Sequence, residues 1–245
     1  MKKTLFDISI MSVIFFFILY VCSLLIPNNE IKVNQEPKIM YLTFDDGPSK
    51  NTEAILDILD QYQIKATFFV CGTNEKYLPL IKEIKERGHA IGVHSYSHDY
   101  SKIYANKQAY FEDINKMNEI IKQYSGSYSK LLRFPGGSSN TISKKYHSKI
   151  MSQLADDVTK LGYQYYDWNA SNGDGEGNNE YEHLLNIGKK EVVHLNHVMM
   201  LMHDGASNKQ TVKVLPQLIE YYQELGFQFY LIDENTNGFH HTIAN

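Results

Sequence analysis

Residues 41–48, YLTFDDGP, decide the fold, because an apolar run typical of a buried strand ends there on two adjacent carboxylates and a turn. Side chains alternate along a strand, so Asp45 and Asp46 should point to opposite faces. Two close carboxylates also raise the pKa of one of them unless a positive charge lies beside them. The stretch is good turn chemistry as well, so a plain turn is the alternative to a functional pair with a cationic partner.

Apolar runs separated by amphipathic segments indicate a protein of alternating strands and helices. The strand candidates are residues 39–44, 66–70, 90–93, 131–134, 163–168, 198–202 and 227–232. The helix candidates are residues 52–61, 77–87, 107–124, 143–161 and 210–225. This alternation predicts parallel strands with crossover helices, in a closed barrel or in an open doubly wound sheet.

The polar residues favour the barrel. No G-x-G-x-x-G or P-loop sequence follows the first strand, which removes the usual reason to choose the open sheet. The candidate functional residues fall at or just after strand ends, where the active site of a barrel is built: Asp45, Asp46, His94, His98, Arg133, Asp167 and His203. We therefore predict an α/β fold, a distorted (β/α) barrel of about seven parallel strands, preceded by one N-terminal transmembrane helix.

An uncharged apolar run of 19 residues, 8–26, follows Lys2 and Lys3. Its length suits a hydrocarbon core, and the lysines favour an anchor with its N-terminus inside the cell. We expect a cytoplasmic segment at 1–7, a signal anchor at 8–26, a linker at 27–36 and an extracellular domain at 37–245 of a single-pass cell-membrane protein. The alternative is a signal peptide whose cleavage leaves a secreted protein, although the run ends in a poor cleavage site.

The composition allows one catalytic domain and excludes some functions. A chain of 245 residues with 43% hydrophobic residues can bury the core of one α/β domain. The net charge of −4 and the scattered lysines exclude a nucleic-acid partner. The only cysteines, Cys22 and Cys71, cannot pair if the first lies in the membrane, so no disulfide framework is implied. We expect a monomer.

The segment His94-Ser-Tyr-Ser-His98 places two histidines four residues apart, and on one turn of a helix both would face one ion. The spacing alone is weak evidence, and the segment lacks the glutamate of the H-E-x-x-H metalloproteases. With Asp46 as third ligand, such a site leaves a position open for water and lowers its pKa towards ~7, so that Asp45 could accept the proton. The cationic partner of the acidic pair is then a divalent metal, helped by Arg133.

The segments TFDDGP, HSYSH, RFPGG, the Asp167–Trp168 pair and LMH occur in this order, each at a predicted strand end. Together they resemble the polysaccharide deacetylase family, the NodB-homology domain of carbohydrate esterase family 4. The resemblance covers residues 37–232. It implies a distorted (β/α) barrel that removes N-acetyl or O-acetyl groups from sugar polymers with a bound divalent metal, commonly zinc. Cobalt, nickel and iron suit the same ligands.

The resemblance also implies a role for each motif residue. Asp45 would be the general base, held and kept ionised by Arg133, and His203 would be the general acid, oriented by Asp167. The metal ligands would be Asp46, His94 and His98. A backbone N–H near Gly136 would stabilise the oxyanion together with the metal, and the acetyl methyl group would lie in an apolar pocket formed by Trp168 and Leu201.

Two features depart from the common family pattern. Many relatives carry a bulkier residue where Gly136 stands, so we expect a more open floor of the sugar site. After Trp168 comes NASNGDGEGNN in place of a second tryptophan or another aromatic wall, and both departures bear on the choice of substrate.

Residues 172–179 alternate acids and amides as in a calcium loop, but His183 stands where the bidentate glutamate should be, so we expect a mobile acidic loop at the rim.

A short tether would bring the domain to polymer close to the membrane, so we favour N-acetylglucosamine residues of peptidoglycan as the substrate. The alternatives are an exopolysaccharide, chitin oligomers, xylan esters and the muramic acid residues of the wall. A non-catalytic glycan-binding relative, or a docking platform for other wall enzymes, would belong to a different class. A non-catalytic relative should lack the base, a metal ligand or the acid, and in this sequence each of these has a candidate residue.

Overall fold

The computed structural model describes residues 36–233 and 235–245. Within them, eight strands form one sheet in which every pairing is parallel. The strands are β1 Lys38–Asp45, β2 Thr67–Cys71, β3 Ala90–Ser95, β4 Leu131–Leu132, β5 Gln164–Tyr165, β6 Ala170–Ser171, β7 His197–His203 and β8 Phe227–Phe229. The helices are α1 Thr52–Gln61, α2 Leu80–Glu86, α3 Tyr100–Ile103, α4 Lys107–Ser125, α5 Ile150–Lys160, α6 Tyr181–Glu191 and α7 Lys209–Glu224.

The strand order is β5-β4-β3-β2-β1-β7-β6. Strand β1 pairs with β7 from Ile39 to Asp45, and it also pairs with β8 through its first residues and with β2 through its last. Strands β5 and β6 lie at the two ends of the order and do not pair with each other. The sheet is therefore a curled half-barrel and not a closed one, and it has eight strands where the sequence predicted about seven.

Within the described residues, three elements were not predicted from the sequence: β6, α3 and α6. Helix α3 has only four residues. Strand β6 has only two residues, which is too short for an apolar run to mark it. Helix α6 buries only Leu184, Leu185 and Gly188, so its apolar pattern is short as well. The predicted helices at 77–87 and 143–161 begin later in the structure, because a 3₁₀ turn precedes each of them.

The alternation of side chains along β1 assigns its two faces. Met40, Leu42 and Phe44 belong to the large core that the helices cover. Tyr41 packs on the other face, against a small cluster within the curl of the sheet that is formed by Phe69, Tyr166, Met199 and Ile232. Thr43 and Asp45 follow Tyr41 at a spacing of two, so this inner face leads directly to the acidic pair.

The helices pack their apolar faces on the outside of the sheet. In α1 the buried residues Ile55, Leu56 and Leu59 follow the spacing of a helix with one apolar face. Helix α4 is capped at its N-terminus by Asn106, whose side chain accepts a hydrogen bond from the N–H of Ala109, and it is followed by Gly126 in the left-handed conformation.

The predicted signal anchor at 8–26 lies outside the described residues, as do residues 1–7 and the linker except for Glu36. In the part of the chain that the structure describes, no helix has both the length and the apolar character needed to cross a membrane.

Candidate active site

The carboxyl ends of β1 and β7 bring the predicted base and acid together. Asp45 and His203 are paired positions in the β1–β7 ladder, and the N–H of Asp204 donates to the carbonyl of Asp45 at 3.0 Å. Asp46 follows in the left-handed conformation, with φ 73°, which breaks the strand alternation. Both carboxylates consequently lie beside one imidazole: Nε2 of His94 is 3.9 Å from Asp45 Oδ2 and 3.5 Å from Asp46 Oδ1.

Arg133 lies behind Asp45, with no solvent exposure. Its Nη1 donates to Asp45 Oδ1 at 2.9 Å and to Thr43 Oγ1 at 2.7 Å, while Nε and Nη2 donate to the carbonyls of Tyr166 and Asp167. Burial raises the pKa of Asp45, and the charge of Arg133 opposes that rise. The four hydrogen bonds fix the guanidinium, and one of them holds Asp45 Oδ1.

The two histidines meet, but they do not share a helical turn as the spacing suggested. His94 lies in β3 and is buried, whereas His98 lies in the following loop in the left-handed conformation, with φ 49°. Their ring centroids are 5.2 Å apart. The loop is tied down by Asp113 of α4, which accepts hydrogen bonds from Ser95 Oγ, Tyr96 N and Ser97 N at 2.6, 2.7 and 2.9 Å.

The side chains at this point form a donor set that fits a divalent metal. Asp46 Oδ1 lies 3.5 Å from His94 Nε2 and 3.2 Å from His98 Nε2. Nδ1 of His94 is 2.8 Å from the carbonyl of Arg133, and a carbonyl only accepts, so Nδ1 carries the proton and Nε2 keeps its lone pair. Burial lowers the pKa of His94 to about 3, which keeps the ring neutral as a ligand must be.

Cys71 is a further group beside this set, and the sequence did not predict it. The ligand atoms of Asp46, Cys71 and His94 lie within 4.8 Å of one another. A thiol binds metal as the thiolate, however, and burial raises the pKa of Cys71 well above its usual range. The imidazole of His98, at 3.2 Å from Asp46 Oδ1, is therefore the better third donor.

His203 has a carboxylate partner, and it is Asp174 instead of the predicted Asp167. Asp174 Oδ1 lies 2.6 Å from His203 Nδ1, and Asp174 Oδ2 accepts the backbone N–H of His203 at 2.8 Å. Burial lowers the pKa of His203, but the hydrogen bond and charge of Asp174, with smaller contributions from Asp46 and Asp45, raise it to about 9. The imidazole is thus protonated at neutral pH.

Asp167 holds two loops together behind the site. Its carboxylate accepts hydrogen bonds from the N–H and hydroxyl of Ser138 and from the N–H of His241. The ring of His241 in turn contacts the hydroxyl of Ser139 at 3.0 Å and the carbonyl of Trp168 at 2.6 Å. Asp167 and His241 therefore join the residues that follow RFPGG to the C-terminal segment, where the carbonyl of Phe239 also accepts the N–H of Asp167.

A cavity of about 280 Å³ collects the predicted residues other than Arg133 and Asp167. Its lining consists of Asp45, Asp46, His94, His98, Tyr100, Gly136, Trp168, Ser171, Gly175, Glu176, Leu201 and His203. The floor at Gly136 is not open, contrary to expectation, because a Cβ there would lie 2.6 Å from the Tyr100 hydroxyl. A larger cavity, of about 490 Å³, is lined by Ala90 and Leu131 at the beginnings of strands, away from these groups.

The sequence did not identify Asp174, Tyr100 or Asp113 as members of the site. Asp174 lies in the segment expected to be a mobile acidic loop, but its side chain is buried, and it also accepts the hydroxyl of Thr211 at 2.6 Å. Asp174 lies three residues after the end of β6, a position typical of site residues. Strand β6 is too short to be recognised in the sequence, so this signal was missed.

Comparison with known proteins agrees with this geometry. The family described as polysaccharide deacetylase matches residues 32–155. The catalytic domain of a peptidoglycan N-acetylglucosamine deacetylase from Eubacterium rectale superposes with a TM-score of 0.83 and 42% identity, covering 87% of this chain and 96% of that one.

Two curated sequences are also similar. A peptidoglycan-N-acetylglucosamine deacetylase of Bacillus cereus is 30% identical over 83% of this chain and 72% of its own length. A bifunctional xylanase/deacetylase of Pseudobutyrivibrio xylanivorans is 31% identical over 84% of this chain but only 32% of its own length. The chain is an enzyme of the polysaccharide deacetylase family, a hydrolase.

Proposed function

We propose that this protein hydrolyses N-acetyl groups of a cell-envelope polysaccharide in a metal-dependent reaction, and that the substrate is N-acetylglucosamine of peptidoglycan. The observation that carries the proposal is the pairing of Asp45 with His203 at the ends of adjacent strands, in one cavity with Asp46, His94 and His98. A base, an acid and a metal-binding set in one small cavity are the parts that amide hydrolysis needs.

Asp46, His94 and His98 would hold the metal. When bound, a divalent metal supplies a Lewis acid that polarises the acetyl carbonyl and acidifies water. Zinc suits two imidazoles and a carboxylate, and cobalt, nickel and iron suit them as well, so the physiological ion follows from availability.

Asp45 acts as the base. Its Oδ1 is occupied by Arg133, which leaves Oδ2, 3.9 Å from His94 Nε2, facing the donor set to accept a proton from the attacking water. Arg133 fixes the carboxylate in this orientation and favours its ionised form against the effect of burial.

His203 acts as the acid. Nδ1 is committed to Asp174, so the proton available to the substrate is on Nε2 of the protonated ring. An amine is a poor leaving group until it is protonated, whereas an alkoxide leaves an ester more readily. A histidine with a pKa of about 9 is therefore suited to an N-acetyl group more than to an O-acetyl group.

The choice of peptidoglycan rests on similarity and on the N-terminal sequence. The similar Eubacterium rectale and Bacillus cereus proteins are both named as deacetylases of peptidoglycan N-acetylglucosamine. We propose that residues 8–26 anchor the chain in the cell membrane, with the domain outside as a monomer and close to the wall. Xylan ester is the second candidate, favoured by the xylanase/deacetylase relative.

Acetate release from a panel of polymers tests the proposal. The purified protein, either loaded with zinc or treated with a chelator, is incubated with peptidoglycan, chitin oligomers and acetylated xylan. We expect chelator-sensitive release from peptidoglycan. Acetate release from xylan alone would make xylan ester the substrate in place of peptidoglycan. Acetate release that persists in chelator would contradict the role of the metal.

A further inference from the structure

We propose that the phenol hydroxyl of Tyr100 is a second hydrogen-bond donor to the acetyl oxygen of the substrate, beside the backbone N–H of Gly136. The proposal rests on the function proposed above and adds a residue that touches the reacting group. Tyr100 begins helix α3, two residues after His98, and it lines the same cavity as Asp45, Asp46 and His203.

The first observation is the close approach of Tyr100 to Gly136. The backbone of Gly136 is left-handed, with φ 77°, and a Cβ built on it would lie 2.6 Å from Tyr100 Oη. The phenol thus occupies the space that a side chain at position 136 would fill. Position 136 admits only glycine in this arrangement, because both the backbone conformation and the phenol oppose a larger residue.

The second observation is that both donors are unused. Within residues 36–233 and 235–245, neither the Tyr100 hydroxyl nor the N–H of Gly136 has a hydrogen-bond partner, whereas the next N–H, that of Gly137, donates to Phe134 at 2.7 Å. Two unpaired donors that line one cavity with the base and the candidate metal ligands are the groups that an oxyanion-binding site requires.

The third observation is that packing holds the phenol in place. The ring of Tyr100 makes an edge contact with His98 at a centroid distance of 5.7 Å and another with Tyr104 at 5.5 Å. The hydroxyl of Tyr104 donates to the carbonyl of Pro135 at 2.8 Å. The same aromatic pair therefore contacts a candidate metal ligand and the loop that carries Gly136, which gives Tyr100 a defined position relative to both.

The variant Tyr100→Phe removes the hydroxyl and keeps the ring. Because the hydroxyl has no partner in the protein, folding and metal content should not change. We expect kcat to fall about 100-fold with KM changed less than about threefold, as for other oxyanion donors. Acetate, the product that retains the acetyl oxygen, should bind the zinc-loaded variant about tenfold more weakly in calorimetry. The control is Tyr77→Phe, whose residue lies outside the cavity and which should leave folding, metal content, kcat, KM and acetate affinity unchanged.

The two proposals can fail separately. If the wild-type protein releases no acetate from any polymer, the proposed function is wrong, while acetate binding still decides the role of Tyr100. An unchanged acetate affinity in Tyr100→Phe, or a change in KM alone, would overturn the assignment and place the phenol on another part of the sugar. Metal loss in this variant would show that the ring acts through His98 instead.

Discussion

Asp174 Oδ1 lies 2.6 Å from Nδ1 of His203, and Asp174 Oδ2 accepts the backbone N–H of the same histidine at 2.8 Å. One buried carboxylate therefore holds both the ring and the main chain of the candidate acid. Burial alone would favour the neutral imidazole, but the charge of Asp174 outweighs it and raises the pKa of His203 to about 9. His203 therefore carries the proton that it donates throughout the physiological pH range.

The variant Asp174→Asn should lower the upper pH limit of activity. An acid catalyst works in its protonated form, so wild-type activity should be lost as pH rises through about 9. Without the carboxylate charge the pKa of His203 falls, and the loss should begin about one to two pH units lower. The pH dependence of kcat/KM measures this shift, and an unmoved alkaline limb would show that Asp174 does not tune the acid.

Asp167→Asn is the matched control for that experiment. This carboxylate contacts Ser138 and His241, and neither contact involves His203. We expect lower thermal stability, because buried hydrogen bonds are lost, and an alkaline limit at the wild-type pH. An alkaline limit displaced as far as in Asp174→Asn would restore Asp167 as the partner of the acid.

His98→Ala and His203→Ala should separate metal binding from proton transfer. The first removes a donor 3.2 Å from Asp46 Oδ1, so bound metal and activity should fall together. The second should keep stoichiometric metal and lose turnover by a factor of about 10² or more. Elemental analysis of the purified variants measures their metal content. Metal loss from His203→Ala would mean that the proposed ligand set is wrong.

Asp113→Ala should weaken metal binding without removing a ligand. Asp113 accepts three hydrogen bonds from the loop between His94 and His98, so its loss frees His98. Residues that orient ligands are typically worth 10- to 100-fold in affinity, and we expect about that loss in competition titrations with a chelator. The neighbouring Glu112→Ala, on the exposed face of α4, should bind metal as the wild type does. Equal affinities for the two variants would argue against an orienting role.

Arg133→Ala should destabilise the fold strongly, because it leaves Asp45 buried without its cation. Breaking a buried pair in this way costs about 3–5 kcal/mol of unfolding free energy. A carboxylate whose pKa is higher in the folded state than in the unfolded state destabilises the fold increasingly as pH rises. The loss of unfolding free energy should therefore be larger at neutral pH than near pH ~4. Urea denaturation in chelator measures it. Arg87→Ala, which breaks pairs at the surface, should cost about 1 kcal/mol or less, and a similar cost for both would refute the argument.

Local signals explain why much of the site was predictable. The apolar run before Asp45 and the runs before His94 and His203 mark long buried strands, and parallel strands bring their carboxyl ends to one edge. The α/β family fold follows from the same alternation. Two adjacent acids after a strand also require a nearby cation, and Arg133 lies there.

The remaining features depend on contacts that no local pattern carries. Asp174 follows a strand of two residues and reaches His203 through tertiary packing alone. Tyr100 closes the floor at Gly136 from a different segment of the chain, and His98 reaches Asp46 through a left-handed residue and not through a helix. The half-barrel is open because β5 and β6 do not pair, which depends on the geometry of the whole sheet.

The most direct test of the account is mass spectrometry of the disaccharide units of purified peptidoglycan after treatment with the zinc-loaded protein. We predict that the N-acetylglucosamine residue loses one acetyl group and gains a free amine, and that muramic acid keeps its acetyl group. Asp45→Asn, still folded and metal-bound, should leave the N-acetylglucosamine residue unaltered. An unaltered N-acetylglucosamine residue after treatment with the wild-type protein, or equal deacetylation by Asp45→Asn, would contradict the account.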